Sequence, residues 1–362
     1  MRILFYINQI YEGGAERVIT QLASSFAEAG DEAVLVTSFE HEGEYSLSDK
    51  VVRLSLEKEQ LQQSRIKRNV SRISKLRRIV KVQRPDIVLS FMQEPNFRLL
   101  LATIGLPCKK VVSVRNDPAR EYAGTAGRFV GKTLMPLLAD GCVFQTHQAM
   151  EWFPNRLQRK SEVIPNAVSS TFFKTERSGA DAYWVAAGRL VEQKNYPMML
   201  GAFSKVVENY PDERLRIYGE GPLRGELAHR IEELGLSSNV LLCGQTHDVA
   251  AVLSDAKGFL MTSDYEGMPN ALMEAMAVGL PCVATDCPCG GPRELIRDGE
   301  SGFLVPVGKE KTFAEKVIVL IQDKKINAMV ETRASKTMAT YSPEKVFARW
   351  AGYMQGLCGA DC

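Results

Sequence analysis

Residues 264–281 read DYEGMPNALMEAMAVGLP and set two carboxylates, Glu266 and Glu274, eight positions apart. Gly267 and Pro269 keep Glu266 outside a helix whose first turn suits proline. Glu274 then falls just over one turn inside, at ~1.5 Å of rise per residue. Helical side chains lean toward the N-terminus, so Glu274 is expected to point back to the mouth that Glu266 flanks, while Leu272, Ala275 and Met276 face the core. Helix mouths hold anions, and two acids there would weaken a site for phosphate alone. They suit a ligand with hydroxyls on both sides of a diphosphate, each acid accepting hydrogen bonds from one sugar ring. The competing reading is a pair of exposed first-turn acids favoured by the helix dipole.

Such a diphosphate needs cations. GRLVEQKN (188–195) offers Arg189, a planar fork of donors, and Lys194, a point charge, just past a strand. In isolation they read equally well as two surface cations of a loop. YEGGAER (11–17) puts Gly13 and Gly14, with Glu16 beside them, between a strand and a helix. That is either a close approach of backbone to a ligand or a plain turn. IYGEGPLRGEL (217–227) and CGQTHDV (243–249) place Gly219 and Gly244 after strands, where backbone could line a nucleotide base or merely reverse the chain. The sequence contains no D-x-D, and His41, His147, His229 and His247 form no HExxH-like pair. Its eight cysteines are scattered, and CVATDCPC lacks a second half at zinc-like spacing. No metal is expected.

The elements that must position these residues follow a βα rhythm. RILFYIN (2–8), EAVLVTS (32–38), DIVLSF (86–91), KVVSVRN (110–116) and DGCVFQT (140–146) read as strands of a first half. A helix from about Ala15, with Ala15, Val18, Leu22 and Phe26 on its buried stripe, is closed by Gly30. YWVAAG (183–188), RLRIYG (214–219), NVLLCG (239–244), KGFLMTS (257–263) and PCVATD (281–286) restart the rhythm. Two successive series, joined near 165–182, predict two α/β, doubly wound domains, 1–165 and 166–341. Ligands are expected where strands end, in the cleft between the domains. SPEKVFARWAGYM begins like a capped helix, about 342–358; spacing leaves open whether it packs back on the first domain.

Apolar content of 45% and charged content of 24% over 362 residues describe a globular protein. No apolar run approaches the ~18–20 residues of a membrane span, and MRILFYINQI reads as a strand and not a signal peptide. A cytoplasmic location is expected. Residues 1–165 carry 24 Lys/Arg against 18 Asp/Glu, and residues 166–362 carry 21 against 25, so the first half is the one to meet something anionic. SRIKRNVSRISKLRRIVKVQR (64–84) holds nine Lys/Arg and no acid. Ile66, Val70, Ile73, Leu76 and Val80 recur at helical spacing, so that face is expected to pack. The cations outside are either a solvated face or a contact for an anionic membrane surface or lipid diphosphate, which would make the protein peripheral at the inner face of the membrane. Nucleic acid is not expected, since no recognition motif or aromatic platform accompanies the charge.

EGMPNALMEAMAVGLPCVAT, with GRLVEQKN before it and GGAER near the start, resembles the large retaining glycosyltransferase family four over essentially the whole chain. The resemblance implies the GT-B fold, two Rossmann-like domains facing across a cleft, the second binding the nucleotide sugar and the first the acceptor. It implies that Glu274 holds the ribose hydroxyls and Glu266 those of the donor hexose. Arg189 and Lys194 would grip the diphosphate, with Gly14 of the GGAER motif approaching from the opposite domain and the backbone of Met268, Pro269 and Asn270 touching phosphate. The donor implied is a UDP-sugar, used as substrate without cofactor or metal. The acceptor implied is a glycan or polyprenyl-diphosphate-linked glycan of the cell surface. One departure stands out. Many members carry a His in an EHSN-like context, whereas this sequence reads SVRNDP, with Arg115 and Asn116 in that region. Two other functions are compatible with the same architecture: a sugar-nucleotide epimerase, and a non-catalytic partner subunit that binds sugar nucleotide.

Overall fold

The computed structural model describes residues 1–11, 13–58, 64–179, 182–246 and 248–359; Glu12 and His247, quoted above, lie outside them. The chain forms two compact units, the first comprising Met1–Asn166 and the chain from Glu344 on, the second Ala167–Pro343.

The first unit holds β1 (Arg2–Ile7), β2 (Glu32–Thr37), β3 (Val52–Ser55), β4 (Ile87–Phe91), β5 (Lys109–Val114), β6 (Gly141–Phe144) and β7 (Ser161–Val163). Among the described residues they make one sheet in the order β3-β2-β1-β4-β5-β6-β7, parallel throughout, with Leu4 opposite Val34 on one side and Val88 on the other. Buried on both faces, the central strands read as unbroken apolar runs. The order reverses between β1 and β4, a topological switch point of the kind at which doubly wound sheets bind ligands.

Helix α1 (Gly14–Glu28) buries Ile19, Leu22, Ala23 and Phe26. The stripe is thus one residue off the expected one: Ile19 is buried where Val18 was expected. Helix α2 (Arg65–Gln83) departs further. Leu76 and Val80 enter the core with Leu4, Val34 and Val88, and Ile73 packs against it. Ile66 and Val70, however, are 77% and 63% exposed. The inward face takes Arg72 instead, whose Nη2 lies 2.8 Å from Glu57 Oε2. A guanidinium is tolerated there because the carboxylate enters with it.

The helix Pro343–Gly359 completes this unit. Phe347 meets Phe26 edge-on at 4.9 Å, and Trp350 stacks on Phe91 at 6.0 Å. Tyr353 Oη donates to the carbonyls of Cys142 at 3.3 Å and Lys160 at 2.7 Å, tying the helix to the β6–β7 edge.

The second unit holds β8 (Tyr183–Ala187), β9 (Leu215–Tyr218), β10 (Val240–Gly244), β11 (Ala256–Met261), β12 (Cys282–Asp286) and β13 (Phe303–Pro306). Their order, β10-β9-β8-β11-β12-β13, repeats the doubly wound pattern, with its switch between β8 and β11. The helix Asn270–Val278 follows β11 and buries Leu272, Ala275 and Met276, as its spacing predicted. It ends at a left-handed Gly279, with Leu280 N–H on Ala275 O and Gly279 N–H on Met276 O, a Schellman closure. Among the described residues no helix is long and apolar enough to cross a membrane.

Candidate functional site

The loops after β8, β9 and β10 lie backbone on backbone. A Cβ on Gly219 would come 2.0 Å from the Gly188 carbonyl oxygen, and one on Gly221 2.4 Å from that of Leu190. Gly219 N–H donates to Gly244 O at 2.8 Å, and Gly188 N–H to Tyr218 O at 2.9 Å. The need for glycine at 219 is therefore met by the neighbouring loop itself. Beside Gly188 runs the arm of Lys194, whose Cε would lie 3.1 Å from a Cβ there.

Lys194 reaches Glu266. Its Nζ lies 2.5 Å from Glu266 Oε1, with side-chain exposures of 22% and 9%. The same oxygen accepts from Ser263 Oγ at 2.7 Å, so Oε2 takes neither bond. Two loops seventy residues apart in sequence are stapled to bring this about. Thr262 Oγ1 donates to the carbonyls of Lys194 and Asn195 at 3.1 and 2.9 Å. Asn195 Nδ2 donates to Asp264 Oδ1 at 2.7 Å, and Gln193 Nε2 to Tyr265 O at 2.9 Å. Asn195 has φ 44° and accepts Met198 N–H, so it also caps the helix Tyr196–Asn209. Tyr196 Oη donates to Gly188 O at 3.0 Å; burial, then the nearby Glu266 charge, push its pKa upward. Arg189, in the same loop as Lys194, is exposed, and among the described residues no carboxylate pairs with it.

Glu266 is held by its backbone as well. Its N–H donates to Pro288 O at 2.6 Å, and its carbonyl accepts from Cys289 N–H at 2.9 Å. Next along, a Cβ on Gly291 would sit 1.7 Å from Gly267 O. The segment after β12 thus clamps the first glutamate and closes on the loop that begins the helix Asn270–Val278. Sequence reasoning weighed CVATDCPC only as a metal cluster and passed over this. The available signal was Gly290–Gly291–Pro292 directly after a strand. Cys287 and Cys289 are buried, at 2% and 3% exposed. Among the described residues no group of three or more His, Cys, Asp or Glu side chains could hold a metal ion.

The helix begins at Asn270 with Pro269 as its N-cap, one position later than proline at a first turn would give. Glu274 is its fifth residue and is 6% exposed, which removes the reading of an exposed first-turn acid; Glu266, at 7%, is likewise buried. Met268 and Pro269 are buried, and Asn270 is half-buried. Glu266, Lys194, the Met268–Asn270 segment and Glu274 are thus assembled on one loop pair and the helix that follows it.

The first unit's residues are employed differently. Gly13 is the N-cap of α1, and a Cβ there would lie 2.0 Å from Glu16 Oε2. The negative group at the start of α1 is the chain's own carboxylate, folded back over Gly13, while Gly14 is exposed. Arg115 is engaged within the first unit. It is 8% exposed, its guanidinium lies 4.4 Å over the Phe91 ring, and it donates to Asn166 Oδ1 and, at 3.4 Å, to Ser113 Oγ. Burial lowers its pKa to about 9. Asn116 Oδ1 accepts Asp117 N–H at 2.9 Å, and Asp117 caps the short helix Pro118–Glu121. Both residues serve the closing of this loop.

Two family models match the chain: "Glycosyltransferase Family 4" over residues 12–172 and "Glycosyl transferases group 1" over residues 169–337. An exopolysaccharide phosphotransferase of Streptomyces coelicolor is 29% identical over 70% of this chain, which spans only 27% of that protein's length. An alpha-1,4-N-acetyl-D-galactosaminyltransferase of Campylobacter jejuni, named for a GalNAc-containing glycan on diphospho-undecaprenol, is 25% identical over 97% of both chains. Among solved structures, the Anabaena protein HepE in complex with UDP and glucose superposes with a TM-score of 0.83, covering 98% of this chain and 99% of its own at 17% identity. At that identity the likeness bears on the fold alone.

Proposed function

We propose that this chain, which matches a family-four glycosyltransferase model over residues 12–172 and a group-1 model over residues 169–337 and shares the GT-B fold, is a retaining enzyme. It would move a hexose or N-acetylhexosamine from a nucleotide sugar, a UDP-sugar by preference, to a glycan or polyprenyl-diphosphate-linked glycan. The second unit would take the donor and the first the acceptor. The diphosphate-linked glycan in the Campylobacter relative's name supports the acceptor class, and the HepE complex is an instance of this fold holding UDP.

The observation that carries the reading is the Lys194–Glu266 pair beside a helix holding the buried Glu274. An ammonium has three donors and a carboxylate two oxygens. Lys194 can therefore keep its bond to Glu266 and still donate two to a diphosphate, while Glu266 Oε2 accepts from a sugar hydroxyl. One charge chain then reads phosphate, ammonium, carboxylate, hydroxyl. Arg189, exposed on the same loop, would add a planar fork to the phosphate oxygens.

In the reaction, an acceptor hydroxyl oxygen bonds to the donor's anomeric carbon on the face from which the diphosphate departs. The bond from that carbon to the phosphate oxygen breaks, the released oxygen takes the hydroxyl proton, and the anomeric configuration is kept. Charge grows on the diphosphate, and fixed cations already aimed at it stabilise the transition state without a metal. No side chain of this protein is assigned as a nucleophile. A peripheral membrane location is part of the proposal, supported by the exposed Ile66 and Val70 among the cations of α2.

Thermal unfolding with UDP-, GDP- and ADP-sugars in EDTA tests the donor assignment. A ligand at a hundred times its dissociation constant stabilises by about 2.7 kcal/mol. Proton NMR of the product then reads the anomeric configuration. No stabilisation by any nucleotide, stabilisation that requires a divalent cation, or an inverted product would each remove part of the proposal.

A further inference from the structure

The first unit carries a cavity of about 240 Å³ that the donor reading leaves unused. Asn8 after β1, Phe39 after β2 and Met92 after β4 line it, with Arg68 and Arg72 from α2. It therefore opens at the carboxyl ends of β1 and β4, where this sheet's order reverses and doubly wound sheets receive ligands. Its size is below the roughly 300–1,000 Å³ of sites that enclose a whole drug-sized molecule, so it suits one group of a longer substrate.

Backbone geometry sets the place apart. Met92 has φ 74° and ψ 159°, a conformation disfavoured for a side chain with a Cβ and one that clusters at functional sites. It is held by Met92 N–H on Ser113 O at 3.1 Å and Asn96 N–H on Met92 O at 2.9 Å.

The charges at the cavity are not all balanced. Arg72 is bound to Glu57 and lies over Phe39. The neighbouring Arg98 donates to Glu94 at 2.8 Å, Asn8 at 2.6 Å and Asn69 at 2.8 Å. Glu94 is thereby engaged, and Glu16, the other acid on the wall, lies against Gly13. Arg68 differs. Its Nε is buried without a hydrogen-bond partner, and among the described residues no carboxylate pairs with it. A buried N–H left unbonded is costly, and Arg68 brings a guanidinium with no carboxylate partner among the described residues to the cavity wall, where an oxyanion would balance its charge. The guanidinium fork matches a carboxylate or a phosphate with two parallel bonds.

We infer that this cavity receives an oxyanion carried by the acceptor, a carboxylate or a phosphate, and that Arg68 selects acceptors bearing it. The inference rests on the first unit's being the acceptor domain.

The test uses the full chain with saturating UDP, so that anions cannot report on the diphosphate cradle. Saturation-transfer NMR compares D-glucose, D-glucuronate and D-glucose 6-phosphate. At least one anionic sugar should bind tenfold or more tightly than glucose, and which one binds identifies carboxylate or phosphate. Arg68→Met should reduce that sugar to the level of glucose. Arg68→Lys, which keeps the charge and loses the fork, should fall between. Equal binding of all three sugars, binding of none, or an unchanged preference in Arg68→Met overturns the inference. The wild-type comparison decides the matter even if a variant fails to fold. Stabilisation by UDP alone is read separately, so its absence would count against the donor assignment and not against Arg68.

Discussion

Replacing Lys194 by Met removes one partner of the 2.5 Å contact to Glu266 while keeping most of the aliphatic arm beside Gly188. Two consequences of different size follow. The pair is partly buried, at 22% and 9% exposed, so its loss falls between the about 3–5 kcal/mol of a broken interior pair and the about 0–1 kcal/mol of a surface pair. A destabilisation of about 1–2 kcal/mol is expected, since Ser263 still bonds the same carboxylate oxygen. Loss of a donor aimed at a developing oxyanion costs about 10²–10³ in turnover, or about 2.7–4 kcal/mol. Glu266→Gln supplies the control, because the amide oxygen can still accept from Lys194 and Ser263. If Lys194 acts on the diphosphate, Lys194→Met should slow the enzyme about a hundredfold in both the wild-type and the Glu266→Gln backgrounds. If Lys194 only neutralises Glu266, the second substitution should cost nothing once Glu266 is uncharged. Release of UDP from a UDP-sugar by water provides the assay, so no acceptor is needed. A Lys194 effect that vanishes in the Glu266→Gln background would refute the electrostatic role.

Further tests reach other parts of the molecule. Gly291→Ala drives a Cβ to 1.7 Å from Gly267 O; about 1–3 kcal/mol of stability should be lost, and UDP should stabilise the variant less than the wild type, as read by thermal unfolding. Glu121 has its pKa pushed up to about 7, chiefly by burial. The native state therefore binds more protons than the unfolded chain between the ordinary carboxyl value of 4.5 and about 7, and stability should decline as pH rises through that window and level off above it. Glu121→Gln should gain stability relative to wild type over the same window, and parallel urea profiles across pH 4.5–8 would count against it. Lys67, Arg78 and Lys81 are exposed on α2. At about 1 kcal/mol per cation near an anionic surface, changing all three to Ser should weaken co-sedimentation with phosphatidylserine vesicles by about a hundredfold. Wild-type binding that is insensitive to salt would oppose this.

Much of the architecture is visible in residue order because both sheets are buried on two faces, and their central strands advertise themselves as apolar runs between glycines. The helix Asn270–Val278 is legible for the same reason: Leu272, Ala275 and Met276 repeat at the helical period and are followed by a glycine that ends it. Three of the four edge strands are not legible. β3, β7 and β13 are three or four residues long, too short for an alternation to be recognised, and β3 and β7 contain no fully buried residue. In α2 the periodicity runs past the packed part, and Ile66 and Val70 look like core although nothing covers them. Arg72 is the converse, a cation that sequence places outside and a partner fifteen residues away, Glu57, brings inside. At the site, Glu266 and Lys194 could be singled out, but their pairing depends on Thr262, Asn195 and Gln193 bonding across loops that are distant in the chain. Arg115 fails to show its role for a similar reason: Phe91 and Asn166, which hold it, are separated from it by 24 and 51 positions.

The return of Phe347, Trp350 and Tyr353 to the first unit makes the second an insertion within it. On the ribosome, the body begun first is therefore finished last. At roughly 5–20 residues per second, the chain between Asn166 and Glu344 takes roughly ten to forty seconds to emerge. For that interval Phe26 and Phe91 await the rings that will cover them. The contiguous second body can close meanwhile, reversing the usual order in which nascent domains mature. A chain released after Tyr341 would leave the first body permanently open, lacking buried Trp350 and Met354, each worth about 1.5–3 kcal/mol. Quality control in the cell would meet such a fragment as an aggregation hazard.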